Sequence, residues 1–303
     1  RSFTGSVAIT IEVQSKTKVI SIHVKELVLS SETVSVKEKD TNISLQIRKQ
    51  FYYSETEKYV IEMDQGLEKG FYTVLIGYFS GCITPDLVGL YLCSYRTSSG
   101  ETRYLAASQL QSTDARKVFP CFYEPDMKAT FSVTIIHQTG FRALSNMPPE
   151  STTCIDDCSW QKVKFKTTPR MSTYLLAFVI SDFQFRETMI FDNYQLRVWA
   201  QPEMYNQTEY ALEFASKCYE FFTEYFGIPD VVPKADHVAV PDFSAGAMEN
   251  WGLVIYRETA LLYDPNVSSS SNKYTVTFIV AHEIAHTWFG NMVTMKWWDD
   301  LWL

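Results

Sequence analysis

The amino-acid sequence predicts an α+β fold in which a strand-rich N-terminal domain precedes a domain that contains helices. Eight strand-like runs, apolar or alternating and separated by turn residues, lie between Ser6 and about Phe183. Two segments with helical periodicity follow, and strand patterns lie between them. We therefore predict an all-β domain over residues 1–184 and a mixed domain over residues 185–303.

Composition is typical of a folded chain with a large core. Of the 303 residues, 46% are hydrophobic and 15% aromatic, and this length favours about two domains. The net charge of −8 and the lack of long basic clusters exclude a nucleic-acid-binding surface. No apolar run reaches the roughly 18 residues that cross a bilayer. The chain begins with Arg1 instead of methionine, so we expect it to be a piece of a longer protein.

Each predicted strand either alternates apolar and polar residues, as half-buried strands do, or is a continuous apolar stretch. They are SVAITIEV, KVISIHVKEL, NISLQIRKQF, KYVIEM, FYTVLIGYF, VGLYLCSY, ATFSVTII and STYLLAFVI. Further along, HVAVPDF and GLVIYRET are predicted strands on either side of SAGAMENW. A glycine in that intervening segment indicates an edge strand that another backbone approaches closely.

The first predicted helix covers residues 208–226. Its apolar face is predicted to contain a set spaced by three and four residues: Ala211, Phe214, Cys218, Phe221 and Tyr225. Gly227 and Pro229 follow as stop signals. The segment is therefore predicted to be an amphipathic helix packed on a core.

The second predicted helix covers residues 272–289 and ends at Gly290. Its first half contains β-branched residues that favour strands, so propensity conflicts with the helical prediction. We expect burial on all sides to resolve this conflict.

Six cysteines are scattered along the chain without a CxxC pair, so a zinc ribbon is not indicated. Cys154 and Cys158 lie in a predicted loop, either paired or free. Asn42, Asn206 and Asn266 begin N-x-S/T sequences, which favour a secreted origin.

The segment AHEIAHTWFGN, residues 281–291, contains two histidines four residues apart. On a helix, His282 and His286 project from the same face, so one cation can contact both. Imidazole nitrogen is a preferred zinc ligand. Glu283 is rotated about 100° from His282 and can reach a metal-bound water. The residues thus predict a hydrolytic zinc site, with a pair of buried structural histidines as the alternative.

The chain resembles the aminopeptidase N family of zinc exopeptidases. The resemblance rests on GAMENWG at residues 246–252 and on HEIAHTWFGN followed by VTMKWWDDLWL. DARKVFPCFYEP, PRMSTYLLAF and YRETALLYDP fit the same family. The resemblance implies a saddle-like β-sheet domain followed by the first part of a thermolysin-like catalytic domain. It also implies one Zn²⁺ for each complete catalytic domain.

The resemblance assigns a role to several residues. Glu249 matches the glutamate that anchors the free α-amino group of the substrate, which restricts hydrolysis to the first residue. Gly246 and Ala247 lack bulk, so the substrate backbone can lie beside them as an added strand, with Met248 in the same segment. Gln111 matches a polar residue that the N-terminal domain contributes to the substrate pocket. Solvent exposure of Glu249 in a loop is the alternative.

The implied mechanism uses zinc to activate water and Glu283 as the general base. The family's third zinc ligand, a glutamate, would be the second residue after Leu303. We therefore expect the 303-residue chain to be catalytically incomplete. We also expect an exposed apolar face that carries a set of four tryptophans, Trp288, Trp297, Trp298 and Trp302.

The predicted activity is removal of single residues from peptides with a free N-terminus. The family resemblance further implies an extracellular or secreted location, a membrane anchor elsewhere in the parent protein, and a possible homodimer. Two alternatives stay open. One is a zinc endopeptidase, which the HExxH motif alone permits, and the other is a non-enzymatic ectodomain fragment that acts as a binding surface.

Overall fold

The computed structural model describes residues 1–301, and the chain divides into two compact units. The first consists of Arg1–Thr84 and Gln111–Tyr123, and the second of Pro85–Leu110 and Glu124–Leu303. None of the helices within residues 1–301 is both long and apolar enough to cross a membrane.

The first unit contains eight strands in two sheets. They are β1 (Ser2–Val13), β2 (Thr17–His23), β3 (Val28–Leu29), β4 (Val34–Glu38), β5 (Ser44–Leu45), β6 (Ile47–Tyr53), β7 (Lys58–Leu67) and β8 (Gly70–Cys82). One sheet has the order β1-β8-β4-β5, with β3 also paired to β8, and the other has the order β2-β7-β6. Alternate residues of both sheets, such as Ile22, Ile61 and Val74, form one core.

The second unit contains the remaining strands and the α-helices. The strands are β9 (Gly89–Arg96), β10 (Thr102–Gln109), β11 (Thr134–Gln138), β12 (Arg142–Ser145), β13 (Pro149–Ile155), β14 (Trp160–Phe165), β15 (Phe178–Ser181), β16 (Gln184–Ile190), β17 (Tyr194–Ala200), β18 (Lys234–Val240), β19 (Ala247–Met248) and β20 (Leu253–Arg257). The helices are α1 (Glu209–Phe226), α2 (Glu258–Leu261) and α3 (Ser270–Ala285).

Three sheets organise the second unit, with the orders β12-β15-β10-β9, β11-β14-β13 and β16-β17-β18-β20-β19. In the five-stranded sheet, β17, β18 and β20 run parallel, and β16 and β19 are antiparallel edge strands. Every residue of β18 is buried, as expected for a central parallel strand. Helices α1 and α3 share a core with this sheet through residues such as Leu212, Val280 and Leu196.

The α+β prediction is confirmed, with strands first and the helices in the later part of the chain. The segment STYLLAFVI differs from its prediction, since Thr173–Leu175 is a 3₁₀ turn and only Phe178–Ser181 is a strand. Several strands of the N-terminal region, including β4 and β10, lay outside the predicted runs. The boundary between residues 184 and 185 stays a prediction.

Helix α1 was predicted at nearly the observed bounds, and its buried face was predicted in part: Ala211 and Cys218 are buried, but Phe221 and Tyr225 are not. Phe221 is 59% exposed and Tyr225 is 71% exposed, and their rings stack on each other with centroids 5.8 Å apart. The buried set is Ala211, Leu212, Ala215, Cys218 and Tyr219. The helix is apolar on two faces, so the spacing of apolar residues alone did not identify the face that contacts the sheet. Gly227 ends the helix in the left-handed region with φ of 66°.

Helix α3 is not buried on all sides, contrary to expectation. Tyr274 is 69% exposed and Phe278 is 60% exposed, and Val276, Val280 and Ile284 are buried. The β-branched threonines of this helix are not accommodated by burial but by hydrogen bonds to the backbone. Thr275 and Thr277 donate hydroxyl hydrogen bonds of 3.0 and 2.8 Å to the carbonyls of Ser271 and Lys273, four residues earlier.

The predicted tryptophan face is only partly exposed. Trp288 is 4% exposed, so its assignment to that face was wrong, because it packs on Phe226 and Phe222 of α1. Trp297 is 49% exposed, and Trp298 packs edge-on against Tyr174. Trp302 lies outside the described residues.

Cys154 and Cys158 form a disulfide across the turn between β13 and β14, which resolves the alternative left open by their spacing. Cys82 is an exposed thiol, and the other three cysteines are buried thiols.

Candidate metal centre

The helix that carries His282 and His286 begins with a capping box. The backbone N–H of Asn272 donates to Ser269 Oγ at 3.2 Å, and the N–H of Ser269 donates to Asn272 Oδ1 at 3.1 Å. This reciprocal pair satisfies free donors of the first turn. The local sequence therefore fixes where α3 begins.

The two imidazole rings face each other at the end of α3. His282 Nε2 and His286 Nε2 are 3.0 Å apart, and the rings are nearly perpendicular. The backbone N–H of His286 still donates to the His282 carbonyl, so the helical spacing persists through this residue. Burial, followed by the charge of His286, lowers the pKa of His282. A neutral imidazole is the form that binds a metal.

A second contact orients His286. Its Nδ1 lies 2.9 Å from the carbonyl oxygen of Phe289, and because a carbonyl can only accept, Nδ1 carries the proton. In the neutral ring, Nε2 then carries the lone pair, and this atom faces His282 Nε2. The chain turns directly after Phe289 at Gly290, whose φ of +131° suits glycine and brings this carbonyl under the ring.

The separation of the two nitrogens fits a small divalent cation. Tetrahedral zinc, with about 2.0–2.1 Å to each imidazole nitrogen, holds two such nitrogens about 3.3–3.4 Å apart. The observed 3.0 Å needs only a small rotation of the rings to reach this value. The donor set therefore fits zinc chemically.

Glu283 is a buried carboxylate in the same helical turn. It is 6% exposed, and its Oε2 has no hydrogen-bond partner within residues 1–301. Burial, followed by the charge of Glu249, raises the pKa of Glu283 to about 9. A nearby cation would favour the ionised form of such a group.

Glu249 lies just after β19 and is 8% exposed, so the alternative of a solvated loop carboxylate is not what the structure shows. Ligand atoms of Glu249, Glu283 and His286 all lie within 4.8 Å of one another. Carboxylate oxygen and imidazole nitrogen are both ligands of divalent metal ions, so these three side chains can hold a cation.

Asn291 connects the segment after β19 to the end of α3. Its Nδ2 donates to the backbone carbonyl of Glu249 at 3.0 Å, and its backbone N–H donates to the carbonyl of His286 at 3.0 Å. Lys128 Nζ donates to the carbonyls of Asn291 and Met292 at 3.2 and 3.0 Å. Asn291 lies within the HEIAHTWFGN segment, but sequence reasoning gave it no role.

The predicted edge strand is observed as β19. Ala247 is opposite Tyr256 and Met248 opposite Ile255, and β19 is the last strand of its sheet. Gly246 precedes it, and a Cβ built on Gly246 would meet only Ile279 Cδ1, at 3.7 Å. Packing within the described chain therefore does not require a glycine here.

Gln111, also a predicted site residue, belongs to the first compact unit and is half-buried. Its role in a substrate pocket stays a prediction.

Tyrosines around the carboxylates were not identified from sequence. Burial, followed by the charge of Glu283, raises the pKa of Tyr256 well above its ordinary value. The Tyr256 hydroxyl lies 2.9 Å from Nδ1 of the buried His237. Burial, followed by the charge of Glu249, raises the pKa of Tyr174. Tyr256 is placed near the site by the pairing of β19 with β20. Neither sequence motif encodes this pairing, so Tyr256 could not be identified as a neighbour of the site from sequence.

Comparison with known proteins identifies the family of the chain. Residues 1–175 match the peptidase M1 N-terminal domain, and residues 210–303 match the peptidase family M1 domain. The chain belongs to peptidase family M1, which confirms the resemblance inferred from its motifs.

Curated relatives match across almost the whole chain. Glutamyl aminopeptidase of Bos taurus is 42% identical over 100% of this chain and 32% of its own length. Aminopeptidase N of Bos taurus is 44% identical over 99% of this chain and 32% of its own length. Aminopeptidase A of Gloydius brevicauda is 42% identical over 99% of this chain and 31% of its own length. The chain thus spans about a third of the length of these relatives.

Proposed function

We propose that this chain contributes the substrate-binding edge and two zinc ligands of an aminopeptidase that removes the first residue from peptides. The observation that carries the proposal is the grouping of the buried Glu249 and Glu283 with His286, within 4.8 Å of one another. Names of the relatives support peptidase activity.

His282 and His286 would hold the zinc ion. When bound, zinc supplies Lewis-acid polarisation of the scissile carbonyl and lowers the pKa of water. The third ligand is expected at the second position after Leu303, as in the family pattern.

Glu283 is proposed as the general base. Its carboxylate takes a proton from the water that attacks the scissile carbonyl and returns it to the leaving amine. Burial supports this role, because a desolvated carboxylate is a stronger proton acceptor than an exposed one.

Glu249 is proposed to bind the free α-amino group. A buried carboxylate forms a charge-assisted hydrogen bond with an ammonium group, and only the first residue of a peptide carries one. The outer edge of β19, beginning at Gly246, would receive the substrate backbone as an added strand. Gln111 is proposed to contribute to binding of the first substrate residue, as the family resemblance implies, and Met248 to bind substrate with the rest of its segment.

Activity of the complete protein on free and N-acetylated peptides tests the substrate assignment. We expect hydrolysis of the free form alone, and Glu249→Gln should lower kcat/KM for it by about tenfold or more. Glu213→Gln, at an exposed site on α1, is the matched control. Equal cleavage of both peptides would indicate an endopeptidase.

Metal analysis tests the zinc assignment independently. His282→Ala and His286→Ala should each lose bound zinc, and Glu283→Gln should keep zinc but lower kcat by about 100-fold or more. Full activity of a metal-free protein would refute the proposal. Stoichiometric zinc without any peptidase activity would favour a binding role.

We also propose an extracellular or secreted location, with a membrane anchor elsewhere in the parent protein and a possible homodimer. The Cys154–Cys158 disulfide supports an oxidising compartment. The three sequon asparagines, Asn42, Asn206 and Asn266, are all exposed and therefore accessible to glycans. Glycosidase treatment tests whether glycans are attached: we expect it to shift the electrophoretic mobility of the protein, and we expect this shift to be lost in the Asn→Gln variants.

A further inference from the structure

A cavity distinct from the metal centre lies in the second unit, where residues of the β11-β14-β13 sheet and of strands β12 and β17 meet. Its volume is about 190 Å³. We call it the basic cavity and define it by six of its lining residues: His137, Arg142, Phe165, Arg197, Trp199 and Asp236.

Positive charge exceeds negative charge in the basic cavity. Asp236 is 1% exposed, and it accepts hydrogen bonds from Arg197 Nε and Nη2 and from Trp199 Nε1. Lys234 Nζ is also 2.7 Å from its Oδ2. Two cations therefore contact this single carboxylate. Arg142 adds another positive charge without forming an ion pair to any residue of 1–301.

Both cavity arginines keep hydrogen-bonding capacity. Arg197 Nη1 has no hydrogen bond with residues 1–301, although the other side of its guanidinium binds Asp236. The guanidinium carbons of Arg142 and Arg197 lie 6.0 and 5.5 Å from the centroid of the same ring, Phe185. Both guanidinium groups therefore lie beside the same ring, and a guanidinium group binds a carboxylate in a planar, bidentate geometry.

A buried polar atom in the cavity lining also lacks a partner. His137 is 5% exposed, and its Nδ1 donates to the Gln138 carbonyl at 2.9 Å. Its Nε2 is buried and has no hydrogen-bond partner within the described chain. An unpaired buried nitrogen is unfavourable, so a hydroxyl donor on a ligand would stabilise this arrangement.

The other walls are largely apolar, including Phe165, Trp199, Leu144 and Val163. The volume of about 190 Å³ is below the roughly 300–1,000 Å³ of pockets for drug-sized ligands. We propose that the basic cavity binds a small organic carboxylate with an apolar body, anchored by Arg142 and Arg197. A hydroxyl opposite the carboxylate would pair with His137.

Calorimetric titration of the protein with 4-hydroxybenzoate, benzoate and benzyl alcohol tests this site. We expect 4-hydroxybenzoate to bind more tightly than benzoate, and benzyl alcohol to bind at least about tenfold more weakly than benzoate because it lacks the charge. Inorganic phosphate should also bind more weakly than benzoate, since it has no apolar body.

Variants connect the binding to the cavity. Arg142 is exposed and makes no ion pair, so Arg142→Gln should fold normally and weaken benzoate binding about tenfold. Arg96→Gln, at another exposed position of the same unit, should leave binding unchanged. His137→Phe should remove the preference for the hydroxylated compound.

Several outcomes would overturn the proposal. These are absence of binding up to about 10 mM benzoate, equal affinity for benzyl alcohol or phosphate, and unaltered affinity in a folded Arg142→Gln variant. Unchanged melting temperatures would show that the variants are folded. None of these measurements depends on peptidase activity or zinc.

Discussion

Asn291 links the two sequence motifs of the site through one side-chain amide. Its Nδ2 holds the Glu249 carbonyl, and its backbone N–H binds the carbonyl of His286. The amide thereby positions the proposed amino-group anchor relative to the proposed zinc ligands. Neither motif considered alone reveals this link, because it joins residues 42 positions apart.

Replacing Asn291 should weaken substrate binding more than it slows the hydrolysis step. Asn291→Ala leaves the buried Glu249 carbonyl without its donor, which should lower stability by about 1–3 kcal/mol. We expect KM for free-amino substrates to rise and kcat to change less, as measured by steady-state kinetics. Asn291→Asp also lacks the donor and should not restore KM. A normal KM in either variant would contradict the positioning role.

Gly246 provides a test of the substrate-strand hypothesis. Alanine should be tolerated in the free protein, because its Cβ would meet nothing closer than Ile279 Cδ1 at 3.7 Å. We expect Gly246→Ala to keep the melting temperature or raise stability by about 0.4–1 kcal/mol. It should nevertheless lower kcat/KM, since the methyl group would intrude where the substrate backbone lies. Unchanged kinetics would indicate that the substrate passes elsewhere.

Asp236 is a buried residue whose ionisation stabilises the fold. Burial opposes its charge, but Lys234 and Arg197 outweigh that effect and lower the pKa of Asp236 to about 2. A folded-state pKa below the unfolded value stabilises the fold at higher pH. We therefore expect about 2 kcal/mol of stability to be lost between about pH 4 and pH 2.

Asp236→Asn should lower stability by about 3–5 kcal/mol at pH 7, because Lys234 would be buried without its counter-charge. Chemical denaturation measures this change. Asp242→Asn, at an exposed position, is the matched control. A similar loss in both variants would show that the buried ion pairs are not responsible.

At the scale of single elements, the sequence predicted where helices begin and end better than which face they bury. Gly227 marked the end of α1 correctly, because left-handed backbone strongly favours glycine. The second helix was predicted over residues 272–289, but α3 is Ser270–Ala285, so it ends before Gly290. The face of α1 could not be chosen, since Phe221 and Phe222 are adjacent and point in different directions. Only the position of the β17-β18 sheet determines which one is covered.

The HExxH spacing predicted that His282 and His286 face each other, because the helical repeat fixes this placement locally. Their role as zinc ligands stays a prediction. Buried Glu249 was less predictable, since it depends on the pairing of β19 with β20 and on α3. The GAMENWG resemblance supplied what local periodicity could not.

The capping box of α3 should contribute measurably to its stability. Ser269→Ala removes the acceptor for the Asn272 N–H, and we expect a loss of about 1 kcal/mol. Ser271→Ala, two residues later and also exposed, should have almost no effect or a small stabilising one. Thermal melts of both variants give the comparison. Equal losses would mean that the cap is not formed in solution.

At the scale of the whole molecule, each of the two compact units contains a hydrophobic core of its own. We expect denaturant unfolding to show two transitions. Ile61→Ala, in the first core, should shift one of them, and Leu196→Ala, in the second, should shift the other, each by about 2–5 kcal/mol. Tryptophan fluorescence and circular dichroism would follow the transitions. Coincident shifts in both variants would show that the molecule unfolds as one cooperative unit.

The first unit is discontinuous, because Pro85–Leu110 belongs to the second unit and Gln111–Tyr123 returns to the first. A nascent chain therefore cannot complete its first unit until Tyr123 has left the ribosome. Strands β9 and β10 emerge before that point, but β15, which pairs with β10, is synthesised about 70 residues later. Until β15 is synthesised, the edge of β10 that pairs with it stays unpaired in the β9-β10 hairpin. A chaperone that binds exposed strand edges would bind the nascent chain at this edge.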